Sequence, residues 1–398
     1  MSDREAELLL CCARARLDSE RETRLKRMLR ETIDWERLLR MAAPHGMLPL
    51  VYSHVSATCA SEIPAPLLEE LREQFQESSR RNLLLASELL KTLRLFEADG
   101  IPALAYKGPT LAALSYGNLA LRHFADLDVL VQKNDLRRAA EILGRQGYRY
   151  RRQAPMTRVQ EAVFRRFACE LLFVRDDGRA KIDLHWGILP KMFAFPLEVR
   201  ELWSRAAKTP LGGGSVFTLS PEDLLLVLCV HNSKHRWERL GWICDIAELI
   251  ERQTIDWDQV FERARRLGSE RMLRLGLFLA SDLLRAKLPP RIFAATRADP
   301  VVISLARRAV DGLFAAADAP PHNVEDVGFY FRARERLRDK ARFVVRAVTT
   351  PTANEVALVA LPAALSFLYY VLRPLRLMTK YGRALWTTWR GRDEFAES

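Results

Sequence analysis

The chain has 398 residues, close to half of them hydrophobic, a length for two domains with ordinary cores and a composition that argues against obligatory disorder. Its 62 Lys and Arg against 50 Asp and Glu leave a net charge of +12, which favours anionic partners (nucleotides, nucleic acid or an acidic membrane surface) without choosing among them. The six cysteines, Cys11, Cys12, Cys59, Cys169, Cys229 and Cys244, show no C-x-x-C spacing, which excludes the usual zinc and redox motifs and suits small buried residues in a reducing cytosol.

The start, Met1-Ser2-Asp3-Arg4-Glu5, lacks the basic end and apolar core of a secretory signal, so a cytoplasmic protein is expected. From Glu5 to about Phe96 apolar residues recur at three- and four-residue steps, as in Trp35, Leu38, Leu39 and Ala42, and predict a helical module over residues 1–97. The texture changes at Asp99-Gly100. Ile101 to Tyr106 reads as a short buried strand ending in the turn Lys107-Gly108-Pro109, with a short helix from Thr110 to Tyr116. Asp126 to Val131 reads as a second strand, and Asn134 or Asp135 caps a helix that runs to Gln146 and closes on Gly147. Ala168 to Arg175 and Ala180 to Trp186 form two more strands joined by Asp176-Asp177-Gly178. The core segment is thus 98–219, and a second helical domain fills 220–398. Within it Ile255-Asp256-Trp257 echoes Ile33-Asp34-Trp35.

In a strand, residues two apart share a face, so Asp126 and Asp128 point together while Leu127 and Val129 face the other way. Like charges that close repel unless a cation lies between them, and hard carboxylate oxygens suit Mg²⁺ held jointly with phosphates. Asp183, in Lys181-Ile182-Asp183-Leu184-His185, becomes a third ligand if its strand lies beside the first, and His185 then shares its face. Such a trio with two metal ions activates an attacking hydroxyl and steadies a leaving pyrophosphate. The bland alternative for an isolated Asp-x-Asp is a solvated strand edge.

Tyr106-Lys107-Gly108, Tyr116-Gly117, Arg122 and Asp126-Leu127-Asp128-Val129-Leu130-Val131, ending at Gly147-Tyr148, together resemble the uncharacterised nucleotidyltransferase family of the polymerase-β-like superfamily. Ile182-Asp183-Leu184-His185-Trp186 is similar to that family's third-carboxylate strand. His231, His235, Trp237, Trp242, Asp245-Ile246-Ala247 and Leu249 resemble its helical domain, as does Leu368-Tyr369-Tyr370 with Arg373-Pro374-Leu375. The resemblance implies an α+β fold, a small mixed sheet flanked by helices, with a nucleoside triphosphate donor and Mg²⁺. It names no acceptor, which leaves RNA, protein or a small molecule open. Better-known superfamily members carry a Gly-Ser turn where this chain has Lys107-Gly108. Gly108 still allows close backbone approach, and Lys107 and Arg122 are the candidate phosphate grips.

Two rival functions fit the same residues: a toxin-like enzyme acting on transfer RNA, favoured by the charge, and a non-catalytic nucleotide sensor or scaffold, favoured by the altered turn. His231 and His235 lie one helical turn apart and read either as a metal pair or as a polar wall toward the nucleotide cleft. The arginines at 263–266 and 332–346 read as solvated helix faces or a nucleic-acid track. The apolar run from Val356 to Leu372, broken by Pro362 and Ser366, falls short of the roughly 20 residues a spanning helix needs. With Arg373, Arg376, Lys380 and Arg383 behind it, the segment 356–383 has the make-up of a peripheral membrane contact or of a helix packed on the domain.

Overall fold

Capping chemistry sets the helix boundaries. In the structure, a computed structural model that describes residues 4–152, 154–314 and 323–379, the two Ile-Asp-Trp tripeptides each open a helix. Asp34 accepts from the Arg37 N–H at 2.9 Å ahead of helix Trp35–Ala42, and Asp256 accepts from the Gln259 N–H at 3.0 Å ahead of Trp257–Leu267. The echo in the sequence is therefore a repeated N-cap, which satisfies N–H groups that a helix start leaves unpaired. The 34-residue helix Ala65–Ala98 starts with Pro64 at its N-cap and Pro66 in its first turn, and stops at Asp99 before Gly100, whose φ is +67°.

Among the described residues seven strands follow: β1 (Ala103–Ala105), β2 (Leu127–Val131), β3 (Tyr148–Tyr150), β4 (Glu170–Arg175), β5 (Lys181–His185), β6 (Ala207–Leu211) and β7 (Gly214–Thr218). The first five make one mixed sheet in the order β1-β2-β5-β4-β3, with β2 and β5 parallel and the other pairs antiparallel. This is the α+β architecture expected, a small mixed sheet with helical flanks. The β4–β5 turn forms where Asp176-Asp177-Gly178 predicts it: the Gly178 N–H donates to Arg175 O at 2.8 Å, and Gly178 takes φ +72°. Three strands lie outside the expectation. Tyr-Arg-Tyr of β3 is too short to show a period, and Pro210 with Gly212-Gly213-Gly214 disguises the β6–β7 hairpin as a loop, although a two-stranded ribbon has edges that tolerate proline. The helix expected from Thr110 starts instead at Gly108 as a single α-turn, Gly108–Leu111, and continues as a π-helical turn, Ala112–Tyr116, closed by Gly117 at φ +66°.

The sheet separates two cores. Leu127, Val129 and Val131 of β2 join Leu171, Phe173, Ile182 and Leu184, covered by Leu85, Leu89 and Phe96 of the long helix and by Ile142 and Leu143 of helix Leu136–Arg145. Leu104, Tyr106 and Leu130 belong to a larger core that the helices before residue 64 and those after residue 220 build together. Arg14, for example, places its Nε 2.6 Å from Glu248 Oε1. The two helical ends of the sequence thus meet over one sheet face, the face that carries the aspartates.

A buried ion pair fastens that helical body to the chain entering β2. Arg122 donates from Nε and Nη2 to the two oxygens of Asp245 at 2.7 and 2.8 Å, and the Tyr116 hydroxyl donates to Asp245 Oδ1 at 2.9 Å. Asn82, on the long helix and 1 % exposed, donates to the carbonyls of Leu119 and Arg122 at 2.7 and 2.9 Å and fixes the same loop from the other side. Removing one partner strands a buried charge, so Arg122→Leu is expected to cost about 3–5 kcal/mol of unfolding free energy in urea. The double variant Arg122→Leu/Asp245→Leu should lose less than the single; an equal loss would mean that packing, not charge, dominates there.

Candidate active site

Register brings the aspartates together. Parallel pairing of β2 with β5 sets Asp128 opposite Asp183 and Leu130 opposite His185, and paired residues project from the same face. Asp126 lies one residue before β2 on that face. β4 adds Glu170 opposite His185. Sequence reasoning singled out neither Glu170 nor its neighbour Cys169, although strand alternation puts Glu170 on the His185 face.

Asp128 is the hub. Its Oδ1 accepts from Lys107 Nζ at 3.1 Å and from His185 Nε2 at 3.2 Å, and the residue is 6 % exposed. Burial would raise its pKa, but the Lys107 ammonium and the His185 hydrogen bond win and hold it well below the usual carboxylate range. Lys107 and His185 shift upward in turn: burial opposes their charges, and Asp128 outweighs it. The other two carboxylates shift the opposite way. Burial and the Asp128 charge raise Asp126 against Lys107, Arg122 and His185; burial lifts Asp183 to about 7, with His185 opposing it and Asp128 and Asp126 adding to it. Three carboxylates gathered on one sheet face are suited to a divalent cation, and their hard oxygens match Mg²⁺.

Gly108 needs to be glycine. Its φ is +53°, and a Cβ there would come within 2.9 Å of the Asp126 carbonyl oxygen, so the β1 turn rests directly on the backbone entering β2. Arg122, the other expected phosphate grip, has Nε and Nη2 committed to Asp245, while its charge still acts on Asp126 and Asp128.

Helix Pro221–Lys234 closes the site from the helical side. Burial and the Lys107 charge depress His231, and burial with Lys234 and Lys107 takes His235 down to about 3, so both rings are neutral. They pack edge to face at 5.0 Å and lie 5.9 and 5.6 Å from the Trp242 ring, with the Arg239 guanidinium 5.4 Å from that ring. Among the described residues no third metal-ligating side chain joins the two histidines. The turn after them runs through two left-handed residues, Arg236 (φ +54°) and Trp237 (φ +60°). Fully buried Trp237 pins it, donating to Ser233 Oγ at 3.3 Å. The arginine clusters are partly structural: Arg263 pairs with Asp223 at 2.9 Å, and fully buried Arg334 donates to Gly268 O at 3.0 Å and Tyr330 OH at 2.8 Å.

The sequence profile of a family described as uncharacterised nucleotidyltransferase matches residues 31–285, well over half of the chain. The chain belongs to this family. The match spans the Lys107-Gly108 turn, all three aspartates and the His231–Trp242 segment, and ends before the Leu368–Leu375 stretch that shares in the resemblance. No curated protein matches the chain. Among solved structures, that of an antigenic nucleotidyltransferase-like protein from Paracoccidioides brasiliensis is similar at a TM-score of 0.34 and 15 % identity, covering 54 % of this chain and 96 % of its own. That distant likeness adds nothing to what the family membership establishes, a nucleotidyltransferase-type enzyme.

Asp183 makes the site's electrostatics measurable. Without metal its carboxyl keeps its proton in the fold until about pH 7, whereas in the unfolded chain it ionises near pH 4 (about 3.9). The fold gains from the neutral form and loses that gain as pH rises through this window. In chelator, Asp183→Asn is therefore expected to melt higher than the wild type at pH 8 and close to it at pH 4.5. A difference independent of pH would remove ionisation of the half-buried Asp183 carboxyl as the cause.

Proposed function

We propose that the protein transfers a nucleoside monophosphate from a nucleoside triphosphate to an acceptor hydroxyl in a Mg²⁺-dependent reaction. The observation that carries this reading is the pairing of Asp128 with Asp183 across parallel strands, with Asp126 beside them on the same sheet face. Asp126 and Asp128 would hold two Mg²⁺ ions and Asp183 would complete the set. Bound there, the ions supply charge to the triphosphate and lower the pKa of the attacking hydroxyl. Asp183 would also accept the proton that the acceptor hydroxyl gives up. Lys107 is positioned to leave Asp128 for a phosphate oxygen, and the Gly108 turn brings backbone N–H groups close to the same phosphates. Arg122 adds positive potential while its fork stays on Asp245. His185 holds Asp128 in place through Nε2. The catalytic unit is residues 98–219, working between the helical segments 1–97 and 220–398 in a cytoplasmic protein.

One observation favours a second reading. The Lys107 ammonium neutralises Asp128 directly, and if it stays there when nucleotide arrives the protein is a nucleotide sensor or scaffold. The acceptor is RNA, protein or a small molecule, and transfer RNA suits the net charge of +12. Exposed Leu358, Phe367, Val371, Leu375 and Met378 support peripheral membrane contact by this end of the chain. No described helix is long and apolar enough to cross a membrane, and residues 380–383 of the expected 356–383 segment lie outside the described residues.

Incubation with each α-labelled nucleoside triphosphate, Mg²⁺ and cell extract is expected to label one product class with the wild type and none with Asp126→Ala, a drop of at least about a thousandfold if metal binding is lost. Label in RNA, protein or small molecules names the acceptor. Saturable nucleotide binding without any labelled product would favour the sensor, and full-rate transfer by Asp126→Ala would overturn the assignment.

A further inference from the structure

His185 faces two ways. Its Nε2 donates to Asp128 at 3.2 Å, which keeps a proton on that nitrogen and makes Nδ1 the nitrogen that can give up its proton to a metal ion. The residue is 3 % exposed, and Nδ1, buried with it, makes no hydrogen bond. Two side chains converge on that nitrogen from β4 and the residue before it. Glu170 Oε2 lies 3.3 Å from Nδ1, and Cys169 Sγ lies 3.9 Å from the same Oε2. The three potential ligand atoms all lie within 4.8 Å of one another.

We propose that Cys169, Glu170 and His185 form a second metal site, separate from the aspartates, that takes a zinc-type divalent ion. Ligand chemistry makes the distinction. A thiolate and an imidazole select a borderline-soft ion, whereas the all-oxygen aspartate set suits Mg²⁺. A buried imidazole whose second nitrogen donates to a carboxylate is the common arrangement of a metal-bound histidine, and here that carboxylate is Asp128. Charge balances: on ligation the thiol and the His185 Nδ1 each release a proton to solvent, and thiolate plus carboxylate neutralise the ion. Cys169 and Glu170 also line a cavity of about 170 Å³, walled by Phe164, Phe167 and Met192, which gives the ion an entry path and room for a water as fourth ligand. Burial pushes the Cys169 thiol up, with the His185 hydrogen bond and the Lys234 charge opposing it, so the bound ion supplies the charge that deprotonates the thiol. An ion on Nδ1 locks the His185 ring and, through Nε2, the orientation of Asp128. The second site is thereby wired to the first, and its existence does not depend on nucleotidyl transfer.

Chelator-stripped full-length protein titrated with Co²⁺ tests the site. One equivalent is expected to give a near-ultraviolet thiolate-to-Co²⁺ charge-transfer band with tetrahedral visible bands, displaced by Zn²⁺ and insensitive to excess Mg²⁺. Cys169→Ser should abolish the charge-transfer band, Glu170→Gln should keep it while weakening Co²⁺ at least about tenfold, and Asp126→Asn should leave band and affinity unchanged. Absence of the band in the wild type, its retention in Cys169→Ser, or its loss in Asp126→Asn would overturn the proposal. If Cys169→Ser does not fold, Glu170→Gln decides, and an unchanged Co²⁺ affinity there would overturn it.

Discussion

Three carboxylates share one sheet face, Asp128 buried and Asp126 and Asp183 half-buried, and the hydrogen bonds of Lys107 and His185 both go to Asp128. Asp128 is neutralised by Lys107 and His185 at a single oxygen, while Asp126 and Asp183 remain under its repulsion. Burying such a trio costs stability unless positive charge arrives from elsewhere. That requirement gives the rest of the architecture its meaning: a helical body covers the face, and its own histidines there are neutral and add no compensating charge.

The surrounding structure holds this arrangement rigidly. The parallel β2–β5 pairing fixes the spacing of Asp128 and Asp183, Gly108 sets the turn against the Asp126 backbone, and the Arg122–Asp245 pair with Asn82 clamps the loop between them. On the far wall, Trp237 holds two consecutive left-handed residues, so the turn that carries His235 is defined by core packing rather than by loop flexibility.

Much of this was legible in the sequence because strand alternation and turn chemistry act locally. Asp-x-Asp on an apolar strand, the Asp-Asp-Gly hairpin and the Lys-Gly turn each announce their geometry within a few residues, and the four strands read from periodicity all form. What escaped depends on partners distant in sequence. That Arg122 meets Asp245 follows from the helices folding back over the sheet, a contact 123 residues apart. The two helical ends of the chain share one core for the same long-range reason. Cys169 and Glu170 acquire interest only through His185 on the next strand, and β3, β6 and β7 are too short or too rich in glycine and proline to carry a period.

The central claim is that the aspartates hold the metal ions that carry a nucleotide. It is tested most directly by anomalous diffraction from crystals grown with Mn²⁺ and a non-hydrolysable nucleoside triphosphate. The account predicts anomalous peaks touching Asp126 and Asp128, with Asp183 reaching one of them, Lys107 moved from Asp128 to a phosphate oxygen, and the triphosphate lying against the Gly108 turn. A triphosphate bound away from this face, or Mn²⁺ absent from the aspartates while Lys107 stays on Asp128, would contradict it.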